Sequence, residues 1–229
     1  MRITLFGDAA LLVHFEHTID VMVNTQVLAA CYGVRQAGVP GVRDVVPAYG
    51  SFAVHFDPLR TDVPLLREVV GRAAAAASPH REQGHVTAVE IPVCYGGRFG
   101  PDLGAVAAWA GMDPHHVITL HASREYRVFM LGFLPGFPYM GSVDDRIAMP
   151  RRDTPRTRVP AGSVGIAGPQ TGVYSFESPG GWQIIGRTPL VLFDSHNEPP
   201  ALLAPGQRVR FRSVSSPEFE AMRHAGGGR

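Results

Sequence analysis

Apolar and polar positions alternate over residues 10–15 (ALLVHF), the period of a strand with one buried face. Over 20–36 the pattern changes, and Val23, Val27, Cys31 and Val34 recur at helical spacing until Gly38, Pro40 and Gly41 stop them. Residues 42–46 and 52–56 read as a hairpin. A second helix follows Thr61 and Asp62 as cap, with Pro64 in its first turn and Leu65, Leu66, Val69, Val70 and Ala73 on its apolar face. The order strand, strand, helix, strand, strand, helix predicts an α+β fold over residues 1–84, a ferredoxin-like sandwich with two helices on one face of an antiparallel sheet. Residues 78–84, polar and carrying Pro79, read as a linker.

From 85 to 229 the pattern is one of short apolar runs punctuated by Gly and Pro. Runs at 86–93, 126–131, 163–167, 173–176, 182–185, 190–193 and 208–211 predict a closed or nearly closed β-barrel. Two helices interrupt it, one opening at Pro101 and one at Asp113-Pro114, where aspartate caps and proline begins the helix. After about residue 213 only a weak helical turn is expected before the chain frays into glycine.

With 45% hydrophobic and 18% charged residues in 229, the chain can bury a sizeable core. Its formal net charge of +1 supplies no broad basic field, so nucleic acid and anionic membranes are not expected partners and any anion site must be local. All 21 basic residues are arginine. Coding bias accounts for that, yet it excludes a Schiff-base lysine and a Walker-type phosphate loop, so ATP phosphates must be held by arginine, by backbone amides or by another subunit. Cys31 and Cys94 lack the spacing of a metal or redox pair and read as buried thiols. The ten histidines form no HExxH or HxH motif, and no metal is expected. Gly162-Ser163-Val164-Gly165 has the wrong spacing for a nucleophile elbow. With neither a leader pattern nor an apolar run long enough to span a bilayer, the expected location is the cytoplasm.

Residues 132–187 carry the densest chemistry. Glycine and proline prescribe tight turns there, and five arginines (Arg146, Arg151, Arg152, Arg156 and Arg158) fall within thirteen residues. The runs GFLPGFPYMG, PRRDTPRTRVPAGSVGIAG and SPGGWQIIGRTP, with GDAALLVHF, PGVRDVVPAYGSFAVHFDP and EIPVCYGGRFGPDL nearer the N-terminus, closely resemble the KipI/PxpB family, also called allophanate hydrolase subunit 1. Met140 after GFPY and Leu134 are small departures that remove no polar group. The resemblance implies a cyclophilin-like barrel for the second half. It further implies a subunit of a bacterial ATP-dependent 5-oxoprolinase that works with a larger allophanate hydrolase subunit 2-type partner (PxpC-like) and a third subunit (PxpA-like). Other implied roles are inhibition of a sensor histidine kinase and a urea- or allophanate-processing, carboxyltransferase-like module. ATP is then bound by, or shared with, the partner subunits.

Arginine pairs carboxylate or phosphate through a planar fork, and Asp144, Asp145 and Asp153 neutralise only part of the local charge. Arg156 and Arg158, between Pro155 and Pro160, are the stronger anion-binding candidates, whereas Arg151 and Arg152 fit a solvated loop or salt-bridge rim as well. Ser163, Gln170 and Tyr174 can orient an amide-like lactam or serve as turn and core residues. Trp182 can stack on a flat ligand or cap the barrel core. Arg187 lies in a turn that can reach the same site, and Tyr139 is the aromatic expected to face it, with Phe129 and Phe133 in the core. Glu90 and Tyr95 are further polar candidates. No general base is legible, so the catalytic residues stay unassigned.

Overall fold

In the computed structural model, which describes residues 1–16, 18–77 and 87–226, Asp20 starts the first helix by accepting the Val23 N–H at 2.9 Å. The chain divides into two units, Met1–His85 and Val86–Arg229. The linker expected at 78–84 lies outside the described residues.

The first unit contains β1 (Arg2–Leu5), β2 (Ala10–His14), α1 (Val21–Gln36), β3 (Val42–Pro47), β4 (Ser51–Phe56) and α2 (Val63–Ala76). Its sheet runs β1-β2-β4-β3 with every pair antiparallel, the order of a ferredoxin-like sandwich whose last strand has moved to the front. Val27, Cys31 and Val34 of α1 and Leu66 and Val70 of α2 pack with Leu11, Val45, Phe52, Val54 and Phe56. Leu65 is 41% exposed, contrary to expectation, because it stands one helical step outside the Leu66–Val70 stripe. Burial pushes the Cys31 thiol up to about 12, leaving it un-ionised and inert at neutral pH.

The second unit holds β5 (Val89–Tyr95), α3 (Leu103–Ala110), α4 (Pro114–Ala122), β6 (Glu125–Leu131), β7 (Pro138–Gly141), β8 (Arg156–Val159), β9 (Ser163–Ala167), β10 (Gln170–Val173), β11 (Ser178–Gly180), β12 (Gln183–Arg187), β13 (Arg208–Ser213) and α5 (Ser216–Gly226). Seven strands close in the order β10-β7-β6-β13-β5-β12-β9, while β8 and β11 pair separately. Ile91, Val93, Tyr126, Val128, Met140, Val164, Ile166, Val173, Ile185, Val209 and Phe211 fill the barrel core.

Three differences from the sequence reading have local causes. The run 190–193 is not a strand but meets Ala201 through a single bridge at Phe193, since the prolines around it limit ladder formation. The strand expected at 173–176 ends at Val173, and the tight turn at Gly168-Pro169 begins it at Gln170. The tail forms a helix rather than a weak turn. Ser215 and Glu218 make a reciprocal cap, the Ser215 N–H donating to Glu218 Oε2 at 2.7 Å, and Phe219 buries its ring 4.5 Å from that of Phe99. That S-x-x-E signature was present in the sequence.

Candidate functional site

Strand alternation gives the barrel wall two apolar faces. Met140, Val164, Ile166, Val173 and Ile185 point to the core, whereas Tyr139 and Ile184 pack in a second cluster with Phe137, Val159, Tyr174 and Trp182. Glycine makes room for these rings: a Cβ on Gly172 would lie 2.9 Å from Phe137 Cζ and from the Pro138 carbonyl oxygen, and one on Gly165 would lie 3.1 Å from Trp182 Cβ. Gly172→Ala is therefore expected to displace Phe137 and cost about 1–3 kcal/mol, measurable as a lowered urea midpoint. Phe137 meets Trp182 edge-on, 5.5 Å between centroids at 87°, and Tyr174 likewise at 5.2 Å and 86°. Tyr139 lies 5.9 Å from Trp182. The indole is 5% exposed and held from two sides.

Beside this cluster the structure sorts the arginines. Asp102, 4% exposed, accepts Arg156 bidentately at 2.7 and 2.8 Å, Arg152 at 3.2 Å and the Ile184 N–H at 2.7 Å. Its side chain makes no cap hydrogen bond to α3, which begins at Leu103 instead of at Pro101. Arg146 pairs with Asp144 at 2.8 Å, and its hydrogen bonds hold that carboxyl far below the usual range. Arg158, largely exposed, pairs with Glu177 at 2.7 Å. Arg151 alone of the five makes no hydrogen bond or ion pair among the described residues, and its guanidinium carbon stands 5.8 Å from the Trp182 ring centroid. The two favoured arginines are thus committed to carboxylates, and Arg151 is not. Asp102 carried no local signal, because its partners lie 50 and 54 residues away.

The remaining candidates divide between neighbourhoods. Tyr139, Tyr174 and Trp182 come together, and burial raises both phenol pKa values, with the field of Arg151 opposing that rise in each. Ser163 is buried on β9, Gln170 is half-buried at the start of β10, and Arg187 donates from Nε to the Ala161 carbonyl at 2.7 Å. Burial and then the nearby Arg223 lower the Arg187 pKa, which places it by α5. Phe129 is buried as expected, but Phe133 is 58% exposed with φ +66° at the tip of the Gly132–Phe137 turn, its ring edge-on to Phe137 and Tyr174. Glu90 pairs with Arg212 at 2.6 Å on the surface.

The barrel interior holds a polar chain of which the sequence reading named only Tyr95. Thr171 Oγ1 donates to the Gly165 carbonyl at 3.0 Å, so it accepts from His121 Nε2 at 2.9 Å, leaving Nδ1 to accept from the Tyr95 hydroxyl at 2.8 Å. His121 is 0% exposed and stacks on Phe211, and burial lowers its pKa from 6.5 to about 3. The same burial raises the Tyr95 pKa well above the phenol range. A neutral, fully satisfied imidazole thus pins α4 to β5 and β10. Among the described residues no group of three or more His, Cys, Asp or Glu side chains is placed to hold a metal ion, and no helix is long and apolar enough to cross a membrane.

Comparison with known proteins places this geometry in a family. Residues 1–203 match the carboxyltransferase domain, subdomain C and D. The chain is 43% identical to the 5-oxoprolinase B subunit of Bacillus subtilis (strain 168), over 96% of this chain and 95% of that one. It is 41% identical to the protein of the same name from Escherichia coli O157:H7, over 92% and 94%. Among solved structures, TTHA0988 superposes with a TM-score of 0.80 at 38% identity, covering 91% of this chain, which spans only 41% of that one. Urea amidolyase of K. lactis, at 21% identity and a TM-score of 0.75, shares the fold. With matches running nearly end to end over both halves, this chain belongs to the carboxyltransferase domain, subdomain C and D family, in its KipI/PxpB branch.

Proposed function

We propose that this chain is the B subunit of an ATP-dependent 5-oxoprolinase, which opens 5-oxo-L-proline to L-glutamate together with a larger allophanate hydrolase subunit 2-type partner and a third subunit. The observation that carries the reading is its identity of more than 40%, over nearly the full length of both chains, to two proteins named as the B subunit of 5-oxoprolinase. A five-membered lactam is a poor electrophile, so ATP phosphorylates the amide oxygen. Water adds to the activated carbon, the ring C–N bond breaks to release the amine, and a second water displaces the phosphate to leave glutamate, ADP and phosphate. The lysine-free sequence offers no phosphate loop, and we assign ATP binding and phosphoryl transfer to a partner. What this chain contributes is a rigid aromatic wall edged by arginine, suited to hold and orient a small planar anion. We place the complex in the cytoplasm, where ATP and the free substrate meet.

Co-expression of the three subunits tests this. The assembled complex is expected to release glutamate from 5-oxo-L-proline with ATP, and the single chain to release none. Turnover by the chain alone would refute its dependence on partners, and an inactive, fully assembled complex would refute the substrate. A second reading has one observation behind it: 40% identity to urea amidolyase of Lachancea kluyveri over 28% of this chain. ATP turnover that responds to urea rather than to 5-oxo-L-proline would favour it.

A further inference from the structure

We propose that the exposed Arg151 guanidinium, held over the nearly buried Trp182 ring, forms a subsite for the carboxylate of a small molecule on the outer wall of the barrel. Three features of the segment support it. Its backbone is clamped on both sides of Arg151, by the Gln183 side chain donating to the Pro150 carbonyl at 2.9 Å and by the Arg152 N–H donating to the Gly181 carbonyl at 2.8 Å. Its charge is unbalanced, because Arg152 and Arg156 share one buried carboxylate, Asp102, while neither Asp102 nor Asp153 makes an ion pair with Arg151 among the described residues. Its platform is fixed, since Phe137 and Tyr139 hold the indole beneath the guanidinium.

A guanidinium lying over a ring spends none of its five N–H donors on the stack, so its edge remains available to a carboxylate in the bidentate geometry. Holding the cation in place beforehand removes part of the ordering entropy that a free surface arginine would lose on binding. A small molecule bearing a single carboxylate matches this one available guanidinium edge. The identity of that molecule as 5-oxo-L-proline rests on the function proposed above; the carboxylate subsite itself does not.

The test uses the full chain carrying Trp109→Phe, which removes an exposed indole and leaves Trp182 as the only one of the two tryptophans. Its Trp182 indole resonance is followed during titration with 5-oxo-L-proline, with the uncharged 5-oxo-L-prolinamide and with inorganic phosphate. A saturable shift is expected with the acid, with at least about tenfold weaker binding for the amide and for Arg151→Gln, and an intermediate loss for Arg151→Lys. Arg210→Gln, which breaks a surface pair with Glu125, is expected to bind as the parent does. Equal binding of acid and amide, unchanged binding by Arg151→Gln, phosphate binding as tight as the acid, or no response to the acid would each overturn the subsite. The two readings separate cleanly. An inactive complex with the Trp182 response intact removes the enzyme assignment and keeps the subsite, whereas an Arg151→Gln complex turning over with unchanged KM does the reverse.

Discussion

Asp102→Ala is expected to destabilise the second unit by about 3–5 kcal/mol, the cost of removing one partner from a buried ion pair. The loss strands the Arg156 guanidinium, which is 26% exposed, and leaves the buried Ile184 N–H without its 2.7 Å acceptor. Removing both charges together is expected to cost less than the single change, because the desolvation penalty of the orphaned cation disappears with it; an Asp102→Asn, Arg156→Met double variant supplies that comparison. Urea denaturation at constant slope reads the difference. A midpoint for Asp102→Ala within experimental error of wild type would show that the cluster is loosely solvated. Asp102 also holds Arg152 and Arg156 on either side of residues 153–155, so its loss is expected to loosen the clamp under Arg151 and weaken the Trp182 response in the same protein.

Acid sensitivity above the carboxylate range is the second large effect. His121 has a folded pKa of about 3 against an ordinary 6.5, so between those values the unfolded chain binds a proton that the folded chain refuses. Stability from this residue is therefore complete above pH 6.5 and falls as the pH drops toward 3. The slope is about 1.4 kcal/mol per pH unit, or roughly 2–3 kcal/mol lost between pH 6.5 and 4.5. Asp57, Asp113, Asp144, Asp194 and Glu218, all lowered by hydrogen bonds, lose their contributions at lower pH still. His121→Gln can still accept from Tyr95 and donate to Thr171 but cannot ionise. It is expected to be less stable at pH 7 and to show a flatter midpoint between pH 6.5 and 4.5. A wild-type profile flat across that window would mean that the imidazole is hydrated when folded.

The aromatic cluster was partly legible from residue types. The density of Gly, Pro and Arg over 132–187 located Tyr139, Tyr174 and Trp182 in one segment, and they do share a cluster. Which arginine stays unpaired was not legible. Arg156 and Arg158 look free when only nearby aspartates are counted, yet Asp102 and Glu177 reach them across folded distance. Strands β7, β8 and β11 escaped notice because they are short and carry Pro or Gly or, in β8, lie between Pro155 and Pro160, which lowers strand propensity until neighbouring strands supply the ladder.

The sequence by itself determined the class of each half, most helix starts and the chemical exclusions of a lysine-free chain. Caps such as Asp20, Asp62 and Asp113 act within three residues, and apolar periodicity acts within one or two turns, so both survive in the linear text. Barrel closure, by contrast, decided which face of each strand is core and which is outer wall. It also brought Asp102 to Arg156, and His121 to Thr171 across 50 residues. Those pairings depend on desolvation, and a charge or imidazole is desolvated only when the whole fold has closed around it.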